Sequence, residues 1–235
     1  MSELFAGLLS RSSAWGVALT IAAFGVGALF QRRTGKAWCN PILIGSILVM
    51  ALLALTGTPY PEFKVSSGPV SWLLLPATVS LAIPLYEKWD LLKKNVAAIL
   101  IGISAGVAVN LGCIVLLARV MGLDRAQAVT LLPKSVTTAI GMDVAEALGG
   151  MPSLAGAVIV LTGIGGSLMA QWVCDVMHIR DPIARGIGIG TASHAIGTAK
   201  ALEMGEVEGA MSGLAIAVAG VLTAVLAPVF ANLLG

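Results

Sequence analysis

Charge is what this sequence has least of. Its 12 acidic and 14 basic residues make up 11% of 235, under half the roughly 25% of a soluble domain. That excludes a water-exposed surface over most of the chain. The net charge of +2 is too small to recruit nucleic acid or a strongly anionic partner. Cysteine is scarce as well: Cys39, Cys113 and Cys174 are odd in number and scattered, two of them inside apolar runs. They have neither metal-ligand spacing nor the look of a disulfide framework. Histidine occurs only at His178 and His194, so no Cys/His constellation exists. There is no H-E-x-x-H and no G-x-S-x-G, and "GIGIGTASHAIG" departs from G-x-G-x-x-G at Ser193. No metal, no cofactor and no enzymatic activity is expected.

Apolar residues are what the chain has in excess, at 57% with a mean hydropathy of +0.95. Several runs reach the roughly 17–25 residues that a bilayer crossing needs. The sequence reads as an all-α integral membrane protein with about six spans, near 12–30, 41–57, 70–86, 96–118, 153–177 and 210–234. Barrel strands are excluded because the runs are continuously apolar instead of alternating. A polar leader precedes the first run and "QRR" follows it, which reads as a retained helix and not a cleaved signal. The 28 glycines point to close helix–helix packing. Pro76 and Pro84 should kink or break the third span.

Lysine and arginine in short loops set orientation. Arg32, Arg33, Lys36, Lys88, Lys93, Lys94, Arg180 and Arg185 fall in one set of loops; Arg11, Lys64, Arg119 and Arg125 fall in the other. The first set is expected to be cytoplasmic, which places both termini outside.

Two stretches fit neither span nor loop, roughly 126–150 and 186–209. Each is polar, glycine-rich and followed by a long clean span. "AIGMDVAEALG" (139–149) and "AIGTAKALEMG" (195–205) also match at Ala139/Ala195, Ile140/Ile196, Gly141/Gly197, Ala145/Ala201 and Gly149/Gly205. We read one domain over 1–235: four spans across 12–118, then two repeat units at 126–177 and 186–234. If both polar stretches are re-entrant hairpins or broken helices, they enter from opposite faces. That is an inverted repeat, in which discontinuous helices meet near the midplane with their ends toward ions and substrate.

The first stretch reads "LLPKSVTTAIGMDVAEALGG". Lys134, Ser135, Thr137 and Thr138 stand where a helix begins, and a helix N-terminus with a nearby lysine suits a carboxylate. Equally, the hydroxyls could serve only as caps while Lys134 snorkels to the headgroups. Asp143 and Glu146, one turn apart, could hold a cation, pair with Lys134 or be solvated. The second stretch offers Thr191, Ser193, His194, Thr198 and Lys200, with Gly197 convenient for a break between half-helices. An ionisable residue inside a membrane segment is costly, so a functional role is the default. His194 could bind substrate, carry a proton or only tie the break together. Glu203, Glu206 and Glu208 read as an interfacial face, with Glu203 also a candidate for ion coupling. Thr78 beside Pro76 and Asn110 in the fourth span are candidates to line a path.

"NPILIGSILVMALLALTGTPY", "LLLPATVSLAIPLY", "LLPKSVTTAIGMDVAEALGG", "RDPIARGIGIGTASHAIGTAKALEMGEVEGAMSGLA" and "LTAVLAPV" resemble the LrgB/CidB family, in order, from about residue 40 onward. The resemblance implies a multi-pass protein of the bacterial cytoplasmic membrane, often encoded with a smaller LrgA/CidA-type membrane subunit. It implies one of two functions. The first is secondary transport of small monocarboxylates such as pyruvate, lactate, glycolate or glycerate, coupled to H+ or Na+, as for the related plastid envelope carrier. The alternative is a holin- or antiholin-like regulator of murein hydrolases and lysis. The chain departs from the plastid form in having only the LrgB-like half and no transit peptide. A homo-oligomer, a dimer, in the lipid bilayer is expected. The paired polar breaks favour the carrier, with Lys134, Ser135, Thr137, Thr138, Thr191, Ser193, His194 and Thr198 as substrate contacts.

Overall fold

The computed structural model describes residues 14–34, 39–73, 76, 79–80 and 82–234. Every regular element among them is a helix: α1 Trp15–Thr34, α2 Pro41–Thr56, α3 Tyr60–Ser66, α4 Gly68–Trp72, α5 Ala82–Glu87, α6 Trp89–Met121, α7 Arg125–Leu131, α8 Thr138–Ala147, α9 Pro152–Val176, α10 Pro182–Met204 and α11 Glu206–Asn232. Four of them, α1, α6, α9 and α11, are long and apolar enough to cross a membrane, and α2 is a shorter apolar helix. This is an all-α membrane protein. Within the expected third span, 70–86, the described helical residues are the end of α4, residues 76 and 79–80, and α5.

Helix ends follow the local chemistry. Asn40 caps α2 by accepting from the amides of Ile42 (2.8 Å) and Leu43 (3.4 Å), with Pro41 in the first turn and Gly57 left-handed at the far end. Asp124 and Gln127 form a reciprocal capping box on α7. Asp181 caps α10 by accepting from Ala184 at 2.9 Å, again before a proline.

The chain divides into two compact units, Met1–Ser80 and Leu81–Gly235. In the first, α1 and α2 run antiparallel at very close range. A side-chain carbon on Gly27 would lie 2.7 Å from the carbonyl oxygen of Pro41, and one on Gly45 would touch the backbone of Ala23. Trp15 packs on Phe63 with ring centroids 5.8 Å apart.

In the second unit, α6 and α11 are parallel. Lys88 and Glu206 pair at their starts (2.9 Å). At their ends Arg119 donates to the carbonyl of Leu233, and Arg125 of α7 to that of Ala231 (3.0 Å). The buried face of α6, including Ile99, Ile103, Val107 and Leu111, packs with Met211, Ala215 and Ala219 of α11 in one core. α9 runs the other way and finishes near the start of α10, where Arg185 donates to Ile179 and faces Asp175.

Between these long helices the two polar stretches fold back on themselves. In α10, Gly186 packs against Glu208 and Met211 of α11, yet Leu202 packs against Gly209 of the same helix. A straight helix would hold residues 186 and 202 about 24 Å apart. The chain therefore reverses, and the reversal is at His194, whose backbone (φ 43°, ψ −143°) is not helical. The sequence reading put the break at Gly197. Instead Gly197 is where the two arms touch, lying against Ser193 and Ile189, because a residue without Cβ lets the arms close.

The 125–147 stretch reverses in the same way. Thr130 of α7 lies against Gly150 and accepts from the amide of Met151 at 2.8 Å, while α8 returns along α9, Gly141 on Ile159 and Met142 on Gly156. Residues 132–137 are its non-helical tip. Both stretches are hairpins, not crossings. The first rises from the end of the unit that holds Met121 and Pro152, the second from the end that holds Val176 and Glu206.

Candidate functional site

Both hairpin tips rest on one face of α6. Gly102 faces Ile187, Gly106 faces Thr191 (2.9 Å from an added carbon to Cγ2), and Asn110 accepts from Ser135 (3.3 Å). Positions 102, 106 and 110 are successive turns, about 6 Å apart along the axis. The tip of the first hairpin thus sits one turn from that of the second, close to the middle of the 33-residue α6. α9 receives the second tip at its own middle, where Gly163 faces the His194 ring and Gly166 faces Ser193.

At the first tip, Lys134 donates from Nζ to the Ser135 hydroxyl at 3.0 Å, and Ser135 donates onward to Asn110. The serine is buried and the lysine half-buried. Lys134 therefore points along the tip and is not paired with Asp143, which is exposed on the outer side of α8 with Glu146. Thr137 occupies the N-cap of α8 with no hydrogen bond from its side chain to the helix, and Thr138 opens the first turn. The capping role considered for Thr137 is thus absent. The first amides of α8 and their partial positive charge are left beside Lys134.

At the second tip, His194 is 2% exposed and donates from Nε2 to the carbonyl oxygen of Ile159 on α9 at 2.9 Å. Thr198 donates to the carbonyl of His194 (3.1 Å), so the Ser212 hydroxyl of α11 is the donor to Thr198 (2.7 Å). Thr198 was expected to bind substrate. Its hydroxyl is instead committed to holding the hairpin against α11, which makes it a positioning residue. Ser193 is buried against Gly166. Thr191 is 7% exposed, and its Oγ1 is buried with no hydrogen-bond partner among the described residues.

Lys200 and Glu203 pair with each other (2.9 Å, i,i+3) down the second arm, and the structure does not bring them to the tips. Glu206 is spent on Lys88. Thr78 lies outside the described residues. Sequence reasoning missed the Ile159 carbonyl, a backbone group with no residue signature. It missed Ser212 as well, whose signal was a hydroxyl buried early in an otherwise apolar helix. Gly106, Gly163 and Gly166 were read only as packing residues; they are also the slots that accept the tips.

Residues 20–233 match the LrgB-like family. The chain belongs to that family. It is 33% identical over 227 residues to the antiholin-like protein LrgB of Bacillus subtilis (strain 168), covering 96% of this chain and 98% of that one. Similarity to the antiholin-like LrgB proteins of Bacillus mycoides (strain KBAB4) and Bacillus cereus (strain B4264) is 32% over 222 residues, with 94% and 96% coverage in each case. No solved structure matches this LrgB-like chain. The matched region contains both hairpins, the three long helices that hold them and most of the first unit.

Proposed function

We propose that this LrgB-like protein is a secondary carrier of small monocarboxylates such as pyruvate, lactate, glycolate or glycerate. The observation that supports it best is the meeting of two hairpins, inserted from opposite ends, on adjacent turns of α6. A site built from two broken elements at mid-depth can be exposed to each side in turn by moving one element against the other. A lesion-forming pore needs no such interior pair.

The chemistry of the tips suits one small anion. Lys134 supplies one positive charge, and the Asn110 amide nitrogen and the uncapped start of α8 supply hydrogen-bond donors, while Ser135 links Lys134 to Asn110. At the second tip Thr191 and Ser193 bring hydroxyls, and His194 an imidazole. The loop charges orient the protein with 88–94 and 180–185 in the cytoplasm and both termini outside, in a bacterial inner membrane. An LrgA/CidA-type subunit and a homodimer are partners of the same reading. So is a coupling ion, H+ or Na+.

The second reading, regulation of lysis without a transport cycle, draws on the relatives' name, antiholin-like. Uptake of labelled pyruvate, lactate, glycolate and glycerate into proteoliposomes, with and without an LrgA-type subunit, separates the two. The carrier gives saturable uptake of at least one acid while an entrapped dye stays inside. Dye leakage, or no uptake under any proton or sodium gradient, contradicts it.

A further inference from the structure

The hydrogen bond of His194 settles which of its ring nitrogens can titrate. A backbone carbonyl oxygen only accepts, so Nε2, which donates to Ile159, keeps its hydrogen whether the ring is neutral or cationic. The proton that comes and goes is then on Nδ1, for which the described residues provide no hydrogen-bond partner.

The backbone adds a second, independent argument. His194 sits at φ 43°, ψ −143°, a conformation that favours glycine and is strained for any residue with a Cβ. α10 has glycine at 186, 188, 190 and 197, but not at its reversal point. Opposite, α9 has Gly163, where an added carbon would lie 2.6 Å from Cε1 and 2.7 Å from Nε2 of the ring. Strain on one helix and a slot on its neighbour both serve to place an imidazole at the tip.

The surroundings contain few competing groups. α9 presents Ile159, Gly163 and Gly166 to this tip, its Cys174 and Asp175 lying at the base near Arg185. α6 presents Gly106 and Asn110, with the Cys113 thiol one turn further on. α11 presents Ser212, while Glu206 and Glu208 are at the base of the hairpin. The first hairpin brings Lys134. Among the described residues, Lys134 is therefore the charged group that shares the tips with His194.

We propose that His194 carries the coupling proton on Nδ1, one proton crossing with each monocarboxylate. The inference rests on the carrier reading above. On the loading side Nδ1 takes a proton from water and the imidazolium donates it, as a hydrogen bond, to the carboxylate beside Lys134. On the other side the anion leaves and Nδ1 returns the proton to water. One negative and one positive charge move together, so the loaded and empty sites carry the same net charge and transport is electroneutral.

His194→Gln tests this, because the glutamine amide nitrogen reproduces the donation to Ile159 but cannot titrate. In pyruvate-loaded proteoliposomes, wild type should both exchange labelled pyruvate and accumulate it when the outside is acid. His194→Gln should exchange labelled pyruvate more slowly than wild type, having lost a substrate contact, and whatever exchange remains should gain nothing from the pH gradient. Gradient-driven accumulation by His194→Gln equal to wild type overturns the proposal, as does wild-type exchange that ignores the gradient. Absence of wild-type exchange overturns the carrier reading itself. A measurement independent of that variant uses 15N-histidine in His178→Gln protein, where His194 is the one remaining histidine. With pyruvate present, Nε2 should stay protonated while Nδ1 gains a proton as the pH is lowered. An Nδ1 signal that does not move overturns the assignment.

Discussion

The side chain of Thr191 stands against the bare backbone of Gly106, its methyl 2.9 Å from where a Cβ would be, and its hydroxyl is buried without a partner. An unpartnered buried hydroxyl weakens the fold. Its presence on the tip of a hairpin points to a ligand as the missing partner. Thr191→Val should leave thermal stability in detergent unchanged or raise it by up to about 1 kcal/mol. It should lower pyruvate uptake several-fold while Thr191→Ser retains most of it. A clear loss of stability in Thr191→Val would mean that the hydroxyl serves the fold.

The three glycines of "GIGG" in α9 provide an internal control. Added methyls at Gly163 and Gly166 would collide with the His194 ring and with Ser193, whereas Gly165 has open space around it. Neither collision is with the free end of a flexible chain, so the hairpin has to move. Gly163→Ala and Gly166→Ala should each reduce uptake at least tenfold and destabilise by about 1–3 kcal/mol, with Gly165→Ala near wild type. Equal effects at all three positions would contradict the seating of the second tip on α9.

Thr198 and Ser212 tie the second hairpin to α11 at full burial. Thr198→Val should cost about 1–3 kcal/mol, since it leaves the Ser212 hydroxyl and the His194 carbonyl without this partner, and Ser212→Ala should cost less, since Thr198 still donates to His194. Because they share one network, the double variant should cost less than their sum. Additive losses in thermal unfolding would deny that the two hydroxyls act together.

The reversal of α10 makes a geometric prediction. Cysteine pairs at 186/211 and at 202/209 should both form disulfides, since an added carbon at Gly186 lies against Cβ of Met211 and one at Gly209 lies 3.2 Å from Cα of Leu202. A straight α10 would hold residues 186 and 202 about 24 Å apart and permit at most one. Failure of the 186/211 pair, with 202/209 closing readily, would replace the hairpin with a crossing.

Much of this was legible in the residues, and the reasons differ by element. The unbroken apolar runs around Ile103, Ile159 and Ala219 mark α6, α9 and α11, because nothing but a helix satisfies the backbone in lipid. Lysine and hydroxyls in the two polar stretches mark the tips. Whether the stretches cross or turn back was not legible: that depends on the turn at 132–137 in the first and on the torsion of His194 in the second, and no composition encodes either. Gly197 is where the residues suggest a break, yet the non-helical torsion falls on His194. Lys200 and Glu203 were candidates for ion coupling in the sequence, and the structure pairs them with each other down the arm, away from the tips.

Binding of a monocarboxylate at the hairpin tips is the step on which transport depends. Equilibrium binding of labelled pyruvate to purified protein should be saturable. It should weaken at least tenfold in Lys134→Gln and stay at the wild-type level in Lys200→Gln, whose charge lies down the arm. No saturable binding by the wild type, or equal weakening in the two variants, would contradict a monocarboxylate site between the hairpins.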